Sequence, residues 1–391
     1  MSLEAAETLF RELTGREPEG AWSAPGRANL IGEHTDYNEG FVFPIAIEQR
    51  TTAAVARRED GVIRVASTFD PEPVEVAVAD LASLFGGPAG SAVANGSVPE
   101  WAAYPLGVVW AAEAPPPTGL DIAIASDVPI GAGLSSSAAI EGAIAGAIND
   151  LWGLGLSLID MAKIGRRAEN EAVGAPTGIM DQASSFLGRP DHATFLDCRS
   201  LETQSVDLGF AREGLAILVM DTRVTHAHST GGYGERRASC ELGARMMGVP
   251  MLRDLTVDDL ARAEETLDDV TFRRVRHIVT ENQRVLDTVD TLRSEGPRAI
   301  GGLLVASHVS MRDDFEISVP ELDLAVATAL DAGAIGARMT GGGFGGAAIA
   351  VVERDRLDDT IVAVAAAFEK AGYVEPRQFE VVPSRGLGRD L

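Results

Sequence analysis

One segment, LDIAIASDVPIGAGLSSSAAIEGAIAGAIND (120–150), constrains the fold of this chain more than any other. Its first residues alternate between apolar and polar positions, which is typical of a half-buried strand, and the alternation ends at Pro129. A glycine-rich turn follows, and then a long helix built mostly of small residues. Because this order places the N-terminus of a helix beside a sheet, the segment predicts a mixed α and β fold.

The start of the predicted helix is suited to binding an anion. Helix N-termini leave N–H groups unpaired and carry about half a positive charge, so they attract phosphate groups. The first turn, Ser135 to Ala138, contains no acidic residue, and the first acid of the helix is Glu141. A serine that only caps the helix after a tight glycine turn would give a similar pattern, and the spacing does not separate the two interpretations.

Two other segments carry candidate catalytic or binding side chains. In GRANLIGEHTDYNEG (26–40), Glu33, His34 and Asp36 could together bind the hydroxyl groups of a polyol, although Asp36 is also typical of a solvated turn. In GAPTGIMDQASS (174–185), Asp181 is a carboxylate among small and apolar residues. It could act as a general base, or it could cap a helix that begins near residue 183.

The late segment RMTGGGFGGAAIAVV (338–352) contains Gly341, Gly343 and Gly346 in the spacing of a dinucleotide-binding loop. A β-like stretch follows these glycines where that loop would open a helix, so we reject an oxidoreductase that uses it. A loop whose backbone approaches a substrate or a phosphate remains consistent with the pattern. The pair His226 and His228 lacks a third ligand nearby, and we expect no metal there.

Charge and composition exclude several classes of protein. The chain has 33 Lys and Arg against 58 Asp and Glu, and the net charge of −25 disfavours nucleic acid and membrane surfaces as partners. Neither of its two lysines lies in a Walker loop, which excludes P-loop ATPases. Two cysteines, no signal-peptide pattern and no apolar run of ~18 residues lead us to expect a cytoplasmic protein.

The length of 391 residues predicts more than one domain, and we place two α+β halves at 1–200 and 201–391 with a cleft between them. Hydrophobic periodicity predicts the elements within them. The predicted helices cover 1–15, 101–113, 135–150, 158–173 and most of 235–295. The predicted strands cover 41–58, 63–66, 74–78, 120–128, 193–196 and 215–220, and residues 87–97 are predicted as a surface loop.

Taken in order, three of these segments resemble a known family. GRANLIGEHTDYNEG, PIGAGLSSSAA and RMTGGGFGG resemble the three motifs of the GHMP small-molecule kinases, and the first is similar to the form found in the galactose-phosphorylating members. The resemblance extends from about residue 5 to about residue 385. It implies a two-domain α+β fold, with an N-terminal domain like domain 2 of ribosomal protein S5, a ferredoxin-like C-terminal domain and an active site in the cleft. The first domain would hold the galactose loop and the serine/glycine motif, and the second the late glycine loop.

The resemblance also implies a reaction, the transfer of the ATP γ-phosphate to O1 of D-galactose with Mg²⁺ as cofactor. Asp181 would be the base and Arg27 the adjacent charge stabiliser. The implied sugar contacts are Glu33, His34, Thr35, Asp36, Gly178, Asp181 and Tyr233. The implied ATP contacts are Trp101, Gly131, Ala132, Gly133, Leu134, Ser135, Ser136 and Ser137, and the implied magnesium positions are Ser137 and Glu169.

Two departures and three alternatives remain at this level. Family members often carry Cys in place of Thr177 and Ala347, and we interpret both as positions that affect packing or tune specificity rather than the chemistry. A kinase for N-acetylgalactosamine or for L-arabinose would share the EHTD loop, and a sensor of galactose and ATP would bind both ligands without turnover. The sequence does not fix the oligomeric state, for which we expect a monomer.

Overall fold

The computed structural model describes residues 2–70, 72–112, 119–225 and 229–391, and His226 and His228 lie outside these ranges. The helices are α1 (Ser2–Thr14), α2 (Leu81–Phe85), α3 (Ser91–Ala94), α4 (Glu100–Ala111), α5 (Ser136–Trp152), α6 (Leu158–Arg167), α7 (Met180–Leu187), α8 (Ser229–Met247), α9 (Leu260–Thr266), α10 (Asp269–Ser294), α11 (Gly301–Asp313), α12 (Pro320–Asp331) and α13 (Leu357–Ala371). The strands are β1 (Gly20–Asn29), β2 (Phe41–Val42), β3 (Pro44–Arg58), β4 (Val62–Ser67), β5 (Val74–Ala77), β6 (Gly119–Ser126), β7 (His192–Asp197), β8 (Thr203–Asp207), β9 (Leu215–Thr225), β10 (Gly336–Thr340), β11 (Gly345–Glu353), β12 (Arg377–Val381) and β13 (Gly388–Arg389).

These strands form three sheets. The first half of the chain builds a sheet in the order β13-β1-β3-β6-β4-β5, which is antiparallel except where β4 lies parallel to β6. The second half builds an antiparallel sheet in the order β10-β11-β9-β12, and a small sheet pairs β2, β7 and β8. The last strand of the chain, β13, therefore pairs with the first strand, β1.

Most predicted elements are confirmed, and the differences have local causes. The periodic apolar residues of α1 bury Ala6 and Phe10, as an amphipathic helix should. The predicted loop at 87–97 is wrong in part, because Ser91–Ala94 forms one helical turn with Ala92 buried beneath it. The predicted helix at 158–173 ends as α6 at Arg167 and continues as a π-helical turn over Ala168–Val173.

The small residues of α5 let this helix lie close to the first sheet. A Cβ atom at Gly142 would lie 2.6 Å from the Cβ atom of Ala24 on β1 and 2.6 Å from the Phe186 ring. β1 is buried along its whole length, and its pairing with β3 shifts register between Pro25 and Arg27. This bulge, next to the N-terminus of α5, brings two predicted motifs together.

The two halves share an apolar core. One buried cluster contains Leu30 and Phe43 from the first half together with Val285, Val289 and Ile349 from the second half. Buried apolar surface between the halves stabilises their relative arrangement and fixes the walls of the cleft. Within the described ranges, every helix is too short or too polar to cross a lipid bilayer.

Candidate active site

A buried arginine and a carboxylate form the centre of the cleft. Arg27 is 5% exposed, and its Nε and one terminal nitrogen each donate a 2.7 Å hydrogen bond to a different oxygen of Asp181. Burial acts to lower the pKa of Arg27, but the charges of Asp181 and Glu33 raise it above its usual value. Arg27 therefore stays charged, and its pair with Asp181 has the two-pronged geometry that fixes both side chains.

The glycine and serine loop before α5 contacts this pair. Arg27 also donates to the carbonyl oxygen of Gly133, and the Ser135 hydroxyl donates to Asp181 Oδ2. Ser135 has φ 53°, in the left-handed region, and Gly131 and Gly133 also have positive φ. These angles curl the loop, so that the N-terminus of α5 opens beside Asp181. Ala132 and Leu134 are buried and support the loop from beneath.

Aromatic rings and the EHTD loop line a pocket of about 190 Å³ on the other side of Asp181. The His34 ring packs against the Tyr233 ring at a tilt of 37°, with ring centroids 5.0 Å apart, and its Nδ1 accepts from the Tyr37 hydroxyl at 2.8 Å. Burial lowers the pKa of His34 to about 3, with His277 adding to the effect, so the ring is neutral. Its Nε2 then donates to the carbonyl oxygen of Gly342, which joins this pocket to the late glycine loop.

Asp36 faces the same pocket from the short helical turn after His34. Burial and the charge of Asp181 raise its pKa to about 6. The carboxylate lies so close to the backbone at Gly178 that a Cβ atom there would be 1.9 Å from Asp36 Oδ2. Thr35 differs from its neighbours: it is fully buried, its hydroxyl donates to the carbonyl oxygens of Gly32 and Phe41, and it does not line the pocket.

A third group of side chains surrounds Glu169 behind the serine loop. Glu169 Oε2 accepts from the Thr177 hydroxyl at 2.6 Å and from Gln182 Nε2 at 2.9 Å, and Ser137 is a further hydrogen-bond partner. Burial first, and then the charge of Asp181, raises the pKa of Glu169. Gln182 Nε2 also donates to Glu141, whose other oxygen is buried without a hydrogen-bond partner. Carboxylates therefore outnumber nearby cations at this position.

A separate apolar cavity of about 370 Å³ reaches the same serine turn. Trp101 lines it together with Phe69, Tyr104 and Ile130, while Ser136 and Ser137 lie at its inner end. Trp101 Nε1 donates to Asp70 at 3.2 Å, which fixes the plane of the indole ring. A flat apolar cavity that ends at a helix N-terminus can hold an aromatic base with its phosphates directed toward the helix.

The structure thus brings the predicted site residues into one cleft, with Thr35 turned away from the pocket. Sequence reasoning missed the positions of Gln182, Gly342 and Tyr104 at the site. It interpreted Thr177 as a packing or tuning position, and the Thr177 hydroxyl donates to Glu169. Gln182 stands next to Asp181, and its polar side chain in an apolar segment was a usable signal. Tyr104 had no such signal, because a tyrosine three residues after Trp101 also fits an ordinary buried helix.

Comparison with known proteins first defines the class. The family described as the GHMP kinases N terminal domain matches residues 103–189, and the GHMP kinases C terminal family matches residues 288–370. The solved mevalonate kinase of Methanococcus jannaschii has the same fold, with a TM-score of 0.66 at 16% identity over 93% of this chain and 98% of that chain. The predicted two-domain GHMP kinase fold is confirmed.

More similar relatives define the family within this class. The galactokinase galactose-binding signature matches residues 8–57. The galactokinase of Streptomyces coelicolor is 54% identical over 97% of this chain and 96% of its own length, and that of Mycobacterium tuberculosis is 42% identical over 91% and 95%. The solved Lactococcus lactis galactokinase complexed with galactose has a TM-score of 0.90 at 30% identity, with 99% of both chains covered. The chain belongs to the galactokinase family.

Proposed function

We propose that Asp181 is the base for the phosphorylation of galactose by this galactokinase. The observation that carries the proposal is the bidentate pair of Arg27 and Asp181 in the wall between the sugar pocket and the serine loop. A sugar in this pocket would present O1 to Asp181, and a γ-phosphate at the N-terminus of α5 would lie on the far side of O1. The two substrates would then meet at one carboxylate.

The proposed reaction transfers one phosphoryl group from ATP to galactose and one proton from galactose to Asp181. O1 of α-D-galactose bonds to the γ-phosphorus while the bond from that phosphorus to the β,γ-bridging oxygen breaks and ADP leaves. The O1 proton passes to the Asp181 carboxylate. Phosphoryl transfer has a loose transition state, so the proton can leave late and most of the acceleration comes from placement and charge neutralisation. Arg27 keeps Asp181 ionised and stabilises the charge on the transferred group.

The sugar contacts follow from the pocket. We propose that Glu33, His34, Asp36 and Tyr233 face galactose and that the backbone at Gly178 closes the wall beside Asp36. Thr35 would affect galactose binding indirectly, because its hydroxyl fixes the EHTD loop through hydrogen bonds to backbone carbonyl oxygens. The adenine ring would occupy the cavity beside Trp101 and Tyr104, with the phosphates along residues 131–137.

Magnesium fits the residues around Glu169. Mg²⁺ takes oxygen ligands and keeps several of its waters, so one carboxylate and one hydroxyl suffice beside phosphate oxygens. Glu169 and Ser137 would supply these two ligands. Gln182 contacts two carboxylates, Glu141 and Glu169, and a divalent cation would offset their negative charge. No cluster of three or more acidic, His or Cys side chains that could hold a metal ion occurs in the described part of the chain. When bound, Mg²⁺ neutralises charge on the β- and γ-phosphates.

Two broader expectations stay proposals. We place the boundary between the two domains near residue 200, which is supported by the two larger sheets, since β1 and β3–β6 precede this point and β9–β12 follow it. Two pairings cross the boundary, β7 with β8 and β1 with β13. We also propose a cytoplasmic location, which is consistent with two buried cysteines that form no disulfide.

Replacement of Asp181 tests the proposal. The Asp181→Asn variant should lose kcat by roughly 10²–10⁴-fold, since it cannot accept the O1 proton, while galactose binding stays measurable. ADP release gives kcat, and calorimetry gives galactose binding. Asp197→Asn is the matched control, because Asp197 forms a similar pair with Arg253 outside the pocket and should leave kcat unchanged. Loss of galactose binding with unchanged kcat would contradict the assignment of the base.

A panel of sugars tests the substrate. With ATP and Mg²⁺ present, D-galactose should have a higher kcat/KM than N-acetylgalactosamine or L-arabinose. A higher value for either of these sugars would replace galactose as the substrate while leaving the kinase chemistry in place.

A further inference from the structure

Glu281 lies in the middle of α10, in the second half of the chain, and contacts the loop that carries the sugar-pocket residues. It is fully buried, and its Oε1 accepts from the backbone N–H groups of Gly32 at 2.9 Å and Glu33 at 3.4 Å. The same oxygen accepts from the Ser307 hydroxyl at 2.6 Å. One carboxylate therefore joins α10 and α11 to the backbone that precedes His34.

Two arginines compensate the charge of this carboxylate. Arg284 Nε donates to Glu281 Oε2 at 2.7 Å, and Arg338 is fully buried with a terminal nitrogen 3.7 Å from Glu281 Oε1. The same nitrogen lies 3.8 Å from Glu33 Oε1, so Arg338 stands between the two carboxylates. Burial acts to raise the pKa of Glu281, but Arg284 and Arg338 lower it well below its usual value. A buried charge is tolerated when it is paired in this manner.

A second residue of α10 holds the same loop. His277 stands one helical turn before Glu281 on the same face, and its Nε2 lies 3.2 Å from the carbonyl oxygen of Glu33. Burial lowers the pKa of His277 to about 4, so the ring is neutral, and a carbonyl oxygen can only accept from its Nε2–H. Both backbone polar groups of Glu33 are thus bound by side chains of α10.

The loop needs such support because its backbone is strained. His34 has φ 64° although it carries a side chain, and Gly32 has φ 103°. A non-glycine residue in the left-handed region is strained and persists only where the surrounding structure holds it there. At Gly32 a Cβ atom would lie 2.8 Å from the carbonyl oxygen of Phe41 and 2.9 Å from Val285 of α10, which shows how closely the helix and the loop pack.

We propose that Glu281 is a positioning residue for galactose, which sets the orientation of Glu33, His34 and Asp36 by binding the backbone at Gly32 and Glu33. It does not line the pocket and touches no reacting atom. The proposal rests on the proposed function of this pocket as the galactose site. The ATP cavity, formed by residues of the first half, has no contact with Glu281 in its lining.

The Glu281→Gln variant tests the proposal. Glutamine has the same size, but each side of the carboxylate faces N–H donors, so its NH₂ group must oppose a donor in either orientation. We expect KM for galactose to rise about tenfold, a loss of the order of one charge-assisted hydrogen bond, while KM for ATP changes less than about twofold. Steady-state kinetics give both constants, and calorimetry without ATP gives galactose binding directly.

Asp121→Asn is the matched control for a merely structural effect. Asp121 is 3% exposed, lies near the start of β6 in the first sheet, outside the lining of both cavities, and is paired with Arg16, Arg58 and Arg64. The Asp121→Asn variant should have a lower melting temperature than the wild type and an unchanged KM for galactose. An unchanged KM for galactose in Glu281→Gln, an equal rise in both KM values, or the same galactose defect in Asp121→Asn would overturn the proposal.

A milder variant decides the matter if Glu281→Gln does not fold. Ser307→Ala removes one donor to Glu281 Oε1 and should raise KM for galactose by roughly threefold, again without a change for ATP. An unchanged KM in this variant would count against the proposal. The wild-type enzyme distinguishes failure of the proposed function from failure of the role of Glu281. If the wild type does not phosphorylate galactose, the proposed function is wrong. If the wild type is active and the variants behave like it, only the role of Glu281 is wrong.

Discussion

Asp36 illustrates, at the scale of one residue, how a binding site weakens the fold that carries it. The carboxylate is suited to accept sugar hydroxyl hydrogens only when ionised, yet burial and Asp181 raise its pKa from 3.8 to about 6. A carboxyl group with a raised pKa binds its proton more tightly in the folded protein than in the unfolded chain. Ionisation of Asp36 therefore destabilises the fold as pH rises through this interval.

The Asp36→Asn variant should melt at a higher temperature than the wild type above pH ~6, since it removes this ionisation. The difference should shrink as pH falls and vanish below pH ~4, where Asp36 is protonated in both the folded and the unfolded state. The same Asp36→Asn variant should have a lower activity with galactose than the wild type. Thermal denaturation between pH 4 and 8 measures the difference, and a gain that persists undiminished at pH ~4 would contradict this origin.

Asp197→Asn is again the control, with the opposite sign. Burial acts to raise the pKa of Asp197, but the hydrogen bonds from Arg253 lower it below its usual value. The ionised group therefore stabilises the fold above the unfolded pKa, and this stabilisation is lost as pH falls. The Asp197→Asn protein should melt below the wild type at neutral pH, and the two melting temperatures should converge in acid.

Residues within short motifs could be predicted at this scale, and residues outside them could not. Arg27, Asp181 and the serines of 135–137 lie in segments whose composition already indicates anion or proton chemistry. Glu281 lies on a long helix about 250 residues from the loop that it holds, and nothing local marks it. Arg338 opens the RMTGGGFGG segment about 300 residues from that loop, but nothing in the segment indicates a contact with Glu33. Only the fold shows that their charges meet.

At the scale of one element, α5 depends on its glycines for its distance from β1. Because the serine loop opens from the start of this helix, its position sets where a phosphate can bind. Gly142 has ordinary helical geometry and no positive φ, so space is its only requirement. A methyl group at this position would force apart the helix, β1 and the Phe186 ring.

The Gly142→Ala variant should therefore lower the melting temperature and raise KM for ATP. Overpacking of a well-packed core costs about 1–3 kcal/mol, more than the gain in helix propensity of up to about 1 kcal/mol. Gly302→Ala on α11 is the control, because a Cβ atom there meets nothing within 4 Å and should leave stability equal or slightly higher. Equal melting temperatures for Gly142→Ala and the wild type would contradict the close-packing argument.

Periodicity predicted those elements whose burial pattern is simple. The amphipathic α1 was found because one face of it packs on the core. The strand β6 was found from its alternation, although the expectation of a half-buried strand is wrong: its two faces pack in two different apolar clusters. The strand β8 was missed, since most of its residues are exposed and only Val206 is buried. The π-helical turn at 168–173 was missed as well, because it keeps a helical composition while shifting Glu169 toward the serine loop.

At the scale of the whole molecule, the net charge of −25 opposes the approach of ATP. Salt shortens the Debye length to about 8–10 Å near 0.1–0.15 M and screens this repulsion. We expect kcat/KM for ATP to rise about twofold to fivefold between ~20 and ~200 mM NaCl, at saturating galactose and constant free Mg²⁺. The matching value for galactose, a neutral molecule, should stay constant. A fall for ATP would show that local positive potential at α5 dominates its capture.

The pairing of β13 with β1 joins the two ends of the molecule. Trp22 and Ser23 of β1 align with Arg389 and Gly388, and Arg50 donates to the carbonyl oxygens of Arg385 and Gly386. During synthesis, the ribosome completes the first half long before it adds these last residues. A nascent chain therefore emerges with an uncovered β1 edge, which invites pairing with other strands. The β1 edge therefore stays open to such pairing until β13 has been synthesised and has docked on it.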